Sequence, residues 1–248
     1  MEAVEQFVDS AGARIWSCVS GNPDGKPVLM FNGGPGCSDY MAPVAALLED
    51  RCRVVRFESR GCGRSDWDGR YELATTVADA DAVRCHYGMD GCVLLGHSQG
   101  PNHALVHALR HPDNIAGIIG IAGGKIVDDR HWSAEFHRRW DETGGDLQGR
   151  EFHADPEVNR IGNASWREYC RSEFIQRDLS RLPLPVAFIN GEADIRPNWP
   201  TRQLSALLPR ARYLEIEGAA HMLWFTHAEA LQRELHAALD WIAESEAG

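Results

Sequence analysis

Several things are missing from this chain of 248 residues, and each absence removes a class of function. There is no C-x-x-C pair, and the seven cysteines are an odd number. That excludes a regular disulfide framework and fits a reducing cytoplasm. No apolar run approaches the length of a membrane span. Positive charge is scarce: 25 Lys and Arg face 36 Asp and Glu, for a formal net charge of −11. This balance argues against nucleic-acid partners and against anionic membranes, and it mildly favours cationic or neutral substrates. The opening "MEAVEQFVDS" has neither the basic start nor the apolar stretch of a signal peptide, so a cytoplasmic location is expected. There is no internal repeat and no low-complexity tract. The oligomeric state is not legible.

What remains is ordinary for one large α/β domain, with 44% hydrophobic and 25% charged residues. "QFVDS" and "ARIWSCVS" read as a hairpin turning near Ala11-Gly12. Buried strands are expected at 27–32, 52–58, "CVLLG", "IAGIIGIAG", 184–191 and 211–218, with helices between most of them. A long helix from about Ala228 to Glu244 ends the chain. Strands alternating with helices predict a mostly parallel sheet covered on both faces, with ligands at the carboxyl ends of the strands. Residues 125–181 break the alternation. They are polar, aromatic and charged, with helices expected around 131–142 and 165–178, and read as a helical lid inserted into a core of 1–124 and 182–248.

The chemistry concentrates at strand ends. "GHSQG" follows an apolar strand and precedes a helix, the setting of a nucleophile elbow with Ser98 at its apex. Gly96 and Gly100 let strand and helix approach closely around it. "NGGPG" follows the strand at 27–32, where Gly34 can offer a backbone N–H to a developing oxyanion beside that of Gln99. Asp194 falls just past one strand and His221 just past the next, so Ser98, Asp194 and His221 share one sheet edge in the order Ser, Asp, His. Glu192 rivals Asp194, and His97 and His227 rival His221. Cys37 and Cys62 lie in the two Gly-rich loops as candidate pocket-lining thiols. His103, His107 and His111 recur every four residues on one helix, but no carboxylate joins them at metal-binding spacing, so neither a metal nor a cofactor is expected.

"FNGGPG", "RGCGRSD", "GHSQG", "NGEAD" and "GAAH" together resemble the α/β-hydrolase superfamily, and within it the proline iminopeptidase branch. The resemblance covers nearly the whole chain except the lid. It implies the α/β-hydrolase fold, with a small inserted helical lid, and a serine hydrolase acting through Ser98, Asp194 and His221. It implies a small molecule or short peptide as substrate, most simply a peptide losing its N-terminal residue. The branch places acidic side chains in the lid for a substrate ammonium; Glu142 beside Trp140 is the matching candidate, with Trp166 as a further pocket wall. The departures are Asn32 for the usual histidine, Glu58-Ser59 for Asp-Gln, and Gln99 where tryptophan is usual. They leave the hydrolase machinery intact and weaken the case for proline. A carboxylesterase, lactonase or C–C bond hydrolase using the same residues is the alternative, and a non-hydrolytic member of the fold is the third class.

Overall fold

The computed structural model describes residues 2–126, 130–145 and 152–246. Strands β1 (Val4–Ser10) and β2 (Ala13–Gly21) form the expected hairpin. Its two-residue turn has positive φ at both Ala11 and Gly12, the conformation that matches the twist of paired strands. Then come β3 (Lys26–Phe31), helix α1 (Ala42–Ala46), β4 (Cys52–Phe57), α2 (Leu73–His86), β5 (Cys92–His97), α3 (Gly100–Arg110) and β6 (Ile115–Ile121). After the lid follow β7 (Val186–Gly191), α7 (Trp199–Leu207), β8 (Ala211–Ile216), α8 (Leu223–Thr226) and α9 (Ala228–Glu246).

The strands form one sheet in the order β1-β2-β4-β3-β5-β6-β7-β8. β1 and β2 are antiparallel, and β4, β3, β5, β6, β7 and β8 run parallel. Alternate side chains feed two cores, as the pleat requires. Cys92 and Leu94 of β5 pack with α2 and α3, whereas Val93 and Leu95 pack with α1 and α9. The chain leaves β3 towards β4 on one side and leaves β5 towards β6 on the other. The strand order therefore reverses between β3 and β5, and the crevice at their carboxyl ends is where a doubly wound sheet binds ligands.

The segment between β6 and β7 contains α4 (Arg130–Thr143), α5 (Pro156–Cys170) and α6 (Ile175–Leu179). The expected helix over 165–178 is thus two helices. α5 begins well before 165 because Asp155 accepts the N–H groups of Glu157 and Val158, both at 2.9 Å, with Pro156 in the first turn. It stops at Cys170, and the Ser172 hydroxyl then takes the Phe174 N–H at 3.3 Å, a local bond that competes with helix continuation. Among the described residues, no helix is long and apolar enough to cross a membrane.

Candidate active site

Ser98 sits at the turn between β5 and α3 with φ of +59°, in the left-handed region that non-glycine residues rarely adopt. The strain persists because the surroundings over-determine it. The Ser98 N–H donates to Ile121 O at 2.9 Å. A Cβ on Gly96 would come within 2.3 Å of the Gly100 backbone, and one on Gly100 within 2.4 Å of Phe31 O. Only glycine permits this crossing of strand, helix and neighbouring strand.

His221 lies in the loop after β8, and its Nδ1–H donates to Asp194 Oδ2 at 2.6 Å. Both side chains are buried. Burial by itself would raise the Asp194 carboxyl, but His221 and Arg196 hold it below its usual value. The Arg196 N–H reaches Oδ1 at 2.8 Å and its guanidinium reaches the same oxygen at 3.3 Å. Asp194 is therefore an anionic acceptor aimed at the imidazole. Its rival Glu192 is exposed and accepts the Gly218 N–H instead, at 3.1 Å. His227 lies at the end of α8, beside Thr226 Oγ1 at 2.8 Å.

His97, the residue before the serine, is fully buried and joins three loops. The Gly33 N–H donates to the Tyr40 hydroxyl at 2.7 Å, so the Tyr40 proton is directed to His97 Nδ1, also at 2.7 Å. His97 Nε2 then carries the hydrogen and donates to His221 O at 3.1 Å. Burial pushes the Tyr40 phenol up and, followed by the nearby His221, pushes His97 well below 6.5. The chain of bonds thus runs through a neutral imidazole of fixed tautomer. It links the loop after β3, the elbow after β5 and the loop after β8. Sequence reasoning leaves Tyr40 out altogether, because its hydroxyl reaches a histidine 57 positions away.

Gly34 and Gln99 line the cavity that contains Ser98. Gln99 stands at the N-terminus of α3, where backbone N–H groups have no intrahelical acceptor. A Cβ on Gly33 would meet the Ser98 Cβ at 2.9 Å, so the loop after β3 lies directly against the nucleophile candidate. Gly34 and Gln99 follow neighbouring strands, β3 and β5, at the point where the sheet order reverses.

The cavity has a volume of about 360 Å³. Lys125, Arg167 and Arg196 line it, and among its described lining residues Asp194 is the only carboxylate. The chain carries a net charge of −11, yet among the described residues that line the chamber basic side chains outnumber acidic ones. Trp166 lines the chamber, as does Trp132, whose indole N–H bonds Pro197 O at 3.0 Å while Lys125 Nζ lies 3.4 Å above its ring. Trp140 and Glu142 are not brought to it. Trp140 packs against Phe136. Glu142 is exposed and paired with Arg138, which also holds Glu135. Cys37 and Cys62 line a second, smaller cavity instead, with Asn32 and His103. Burial pushes the Cys62 thiol up, so it is no ready nucleophile.

The lid and the core are joined beside the chamber. The Arg139 guanidinium donates to Asp194 O at 3.3 Å. The Asp155 N–H donates to Gly36 O at 3.0 Å, and Asn159 Nδ2 to Pro35 O at 2.9 Å, so α5 holds the "GGPG" loop. On the far side of α3, Asp81 of α2 stands near His107 and His111, a carboxylate that spacing along α3 cannot reveal.

Comparison with known proteins agrees with this architecture. Residues 26–151 match the family described as alpha/beta hydrolase fold. A proline iminopeptidase of Neisseria gonorrhoeae is 37% identical over 103 residues, which are 40% of this chain and 33% of that protein. The match thus spans about a third of that relative's length. A proline iminopeptidase of Heyndrickxia coagulans is 32% identical over 275 residues, covering 91% of this chain and 94% of that protein. Among solved structures, 2-hydroxy-6-oxo-6-phenylhexa-2,4-dienoate hydrolase from Rhodococcus sp. strain RHA1 superposes with a TM-score of 0.73. It covers 96% of this chain and 99% of its own at 17% identity, a likeness of fold alone.

Proposed function

From the premise that this chain belongs to the α/β-hydrolase family and is a hydrolase resembling the proline iminopeptidase branch, we propose that it is a serine hydrolase acting on small carboxylate-bearing esters or amides. Ser98 Oγ attacks the substrate carbonyl carbon while His221 Nε2 takes its proton. Asp194, accepting from Nδ1–H, holds the ring in the required tautomer and stabilises the imidazolium. The Gln99 and Gly34 N–H groups receive the oxyanion. Collapse expels the leaving group, which takes the proton from His221 and leaves an acyl-Ser98 ester. Water, deprotonated by His221, attacks that ester, releases the acid and returns the proton to Ser98 Oγ.

The observation that carries the substrate class is the described lining: it includes Lys125, Arg167 and Arg196, and among the described lining residues the one carboxylate, Asp194, already serves His221. A buried ammonium needs carboxylates or carbonyls around it, and a guanidinium or ammonium lining is suited to an anion. The second reading is an aminopeptidase, favoured by the full-length likeness to the Heyndrickxia coagulans enzyme. The test compares a succinate half-ester of p-nitrophenol, neutral p-nitrophenyl butyrate and prolyl-p-nitroanilide. We expect the half-ester to have the highest kcat/KM, with Arg167→Gln reducing its advantage mainly through KM. Preferred turnover of the prolyl amide over its N-acetylated form would overturn this reading in favour of the aminopeptidase.

A further inference from the structure

We infer that Asp81, His107 and His111 form a binding site for a divalent transition-metal ion of the Zn²⁺ class, which clamps α2 to α3 on the side of the sheet away from α9. His107 lies in the last turn of α3 and His111 is the residue that caps its C-terminus, with the two imidazole rings 4.9 Å apart. Asp81 Oδ1 of α2 lies 3.6 Å from His107 Nε2 and 3.9 Å from His111 Nδ1. One ligand atom from each of the three residues lies within 4.8 Å of the other two. Four ligands at about 2.0–2.1 Å around a tetrahedral Zn²⁺ stand about 3.3–3.4 Å apart. The side chains thus need from a few tenths of an ångström to about 1.5 Å of adjustment.

The independent observation is His107. It is fully buried, and neither of its ring nitrogens has a hydrogen-bond partner. Interiors seldom leave polar atoms in that condition. The approach to Asp81 does not remedy it, because 3.6 Å is too long for a hydrogen bond. A buried imidazole without a hydrogen-bond partner and a carboxylate that face each other across a gap too wide for a hydrogen bond fit an ion between them.

The surroundings define the ion. Two imidazoles with one carboxylate suit Zn²⁺, Co²⁺ or Ni²⁺ and not Mg²⁺ or Ca²⁺, which take oxygen ligands. Arg84 donates to Asp81 Oδ1 at 2.8 Å and to Asp90 at 2.9 Å, and the Cys85 thiol lies 3.8 Å from Asp81 Oδ2. Arg84 therefore orients the carboxylate while opposing the ion's charge, which limits affinity. None of these groups belongs to the chamber around Ser98, so the site stands independently of the proposed hydrolysis.

The test is thermal unfolding of the full chain after EDTA treatment, titrated with ZnCl₂ or MgCl₂, together with visible absorption on adding CoCl₂. Zn²⁺ should raise Tm saturably at one ion per chain, Mg²⁺ should leave it unchanged, and Co²⁺ should give the strong d–d bands of a four-coordinate site. His111→Ala and Asp81→Asn should each abolish the Zn²⁺-induced shift and the Co²⁺ bands. His111 is 31% exposed and Asp81→Asn keeps the side-chain shape, so both variants should fold. The shift is read against each variant's own metal-free Tm. No saturable effect of Zn²⁺ on the wild type, or an undiminished shift in both variants, would overturn the site.

Discussion

At the scale of single residues, the division of labour between neighbours is sharper than their spacing suggests. Asp194 and Glu192 are two positions apart, yet one is buried against His221 and the other accepts a backbone N–H at the surface. Asp194→Asn should lower kcat by about 10⁴, because the imidazole loses its acceptor and adopts the wrong tautomer. Glu192→Gln should leave kcat near wild type; steady-state kinetics on one ester decides between them. Tyr40→Phe is a subtler probe. It leaves the Gly33 N–H and His97 Nδ1 without partners, and each unsatisfied buried group costs about 1–3 kcal/mol. We expect a lower Tm and a lower kcat with little change in KM, since the variant disturbs loops that hold reacting groups and removes nothing from the chamber wall. An unchanged kcat would mean that the Tyr40–His97 chain supports the fold without positioning the site. His97 stays neutral far below pH 6.5, so the acid limb of log kcat/KM against pH should have a slope of one, from a single base.

At the scale of elements, strand ends are more legible than helix faces. Motif spacing and alternation place Ser98, Asp194 and His221 at one sheet edge, because every parallel strand must deliver its following loop to the same side. A surface helix carries no such constraint. On α4, Trp132, Phe136 and Trp140 lie on one flank, and Glu135, Arg138 and Glu142 form another through ion pairs. Sequence proximity of Trp140 and Glu142 thus says nothing about a shared pocket. Nor can the spacing of histidines on α3 announce a carboxylate contributed by α2. The start of α5, in contrast, is written in Asp155-Pro156, and the reading that begins the helix near 165 overlooks a cap followed by proline. Asp155→Ala should cost about 1 kcal/mol through loss of that cap. It should appear as a lower urea midpoint with an unchanged m-value, since the Asp155 N–H that holds Gly36 remains in place.

At the scale of the whole molecule, an interior ion pair ties the antiparallel edge to the parallel sheet's helices. Arg60, from "RGCGRSD", donates to Asp79 of α2 at 2.7 Å and to Ser10 O of β1 at 2.8 Å, and both charged side chains are buried. Asp79→Ala would leave the buried guanidinium with Asp68, at 2.7 Å, and Ser10 O, and should cost about 1–3 kcal/mol of the ~5–15 kcal/mol that holds a typical domain together. Urea unfolding reads this directly, and a loss well under about 1 kcal/mol would show that Asp68 and solvent suffice for Arg60. Arg196 raises a different kind of dependence. The same guanidinium forms part of the chamber wall and supports the Asp194 carboxylate. Lys125 and Arg167 can change without touching the acid, but Arg196 cannot. On the proposed reading, a descendant of this protein selected for cationic substrates would have to give up that side chain and find Asp194 another donor at the same time. Substrate charge would then be an inherited commitment, easier to strengthen by single mutations than to reverse.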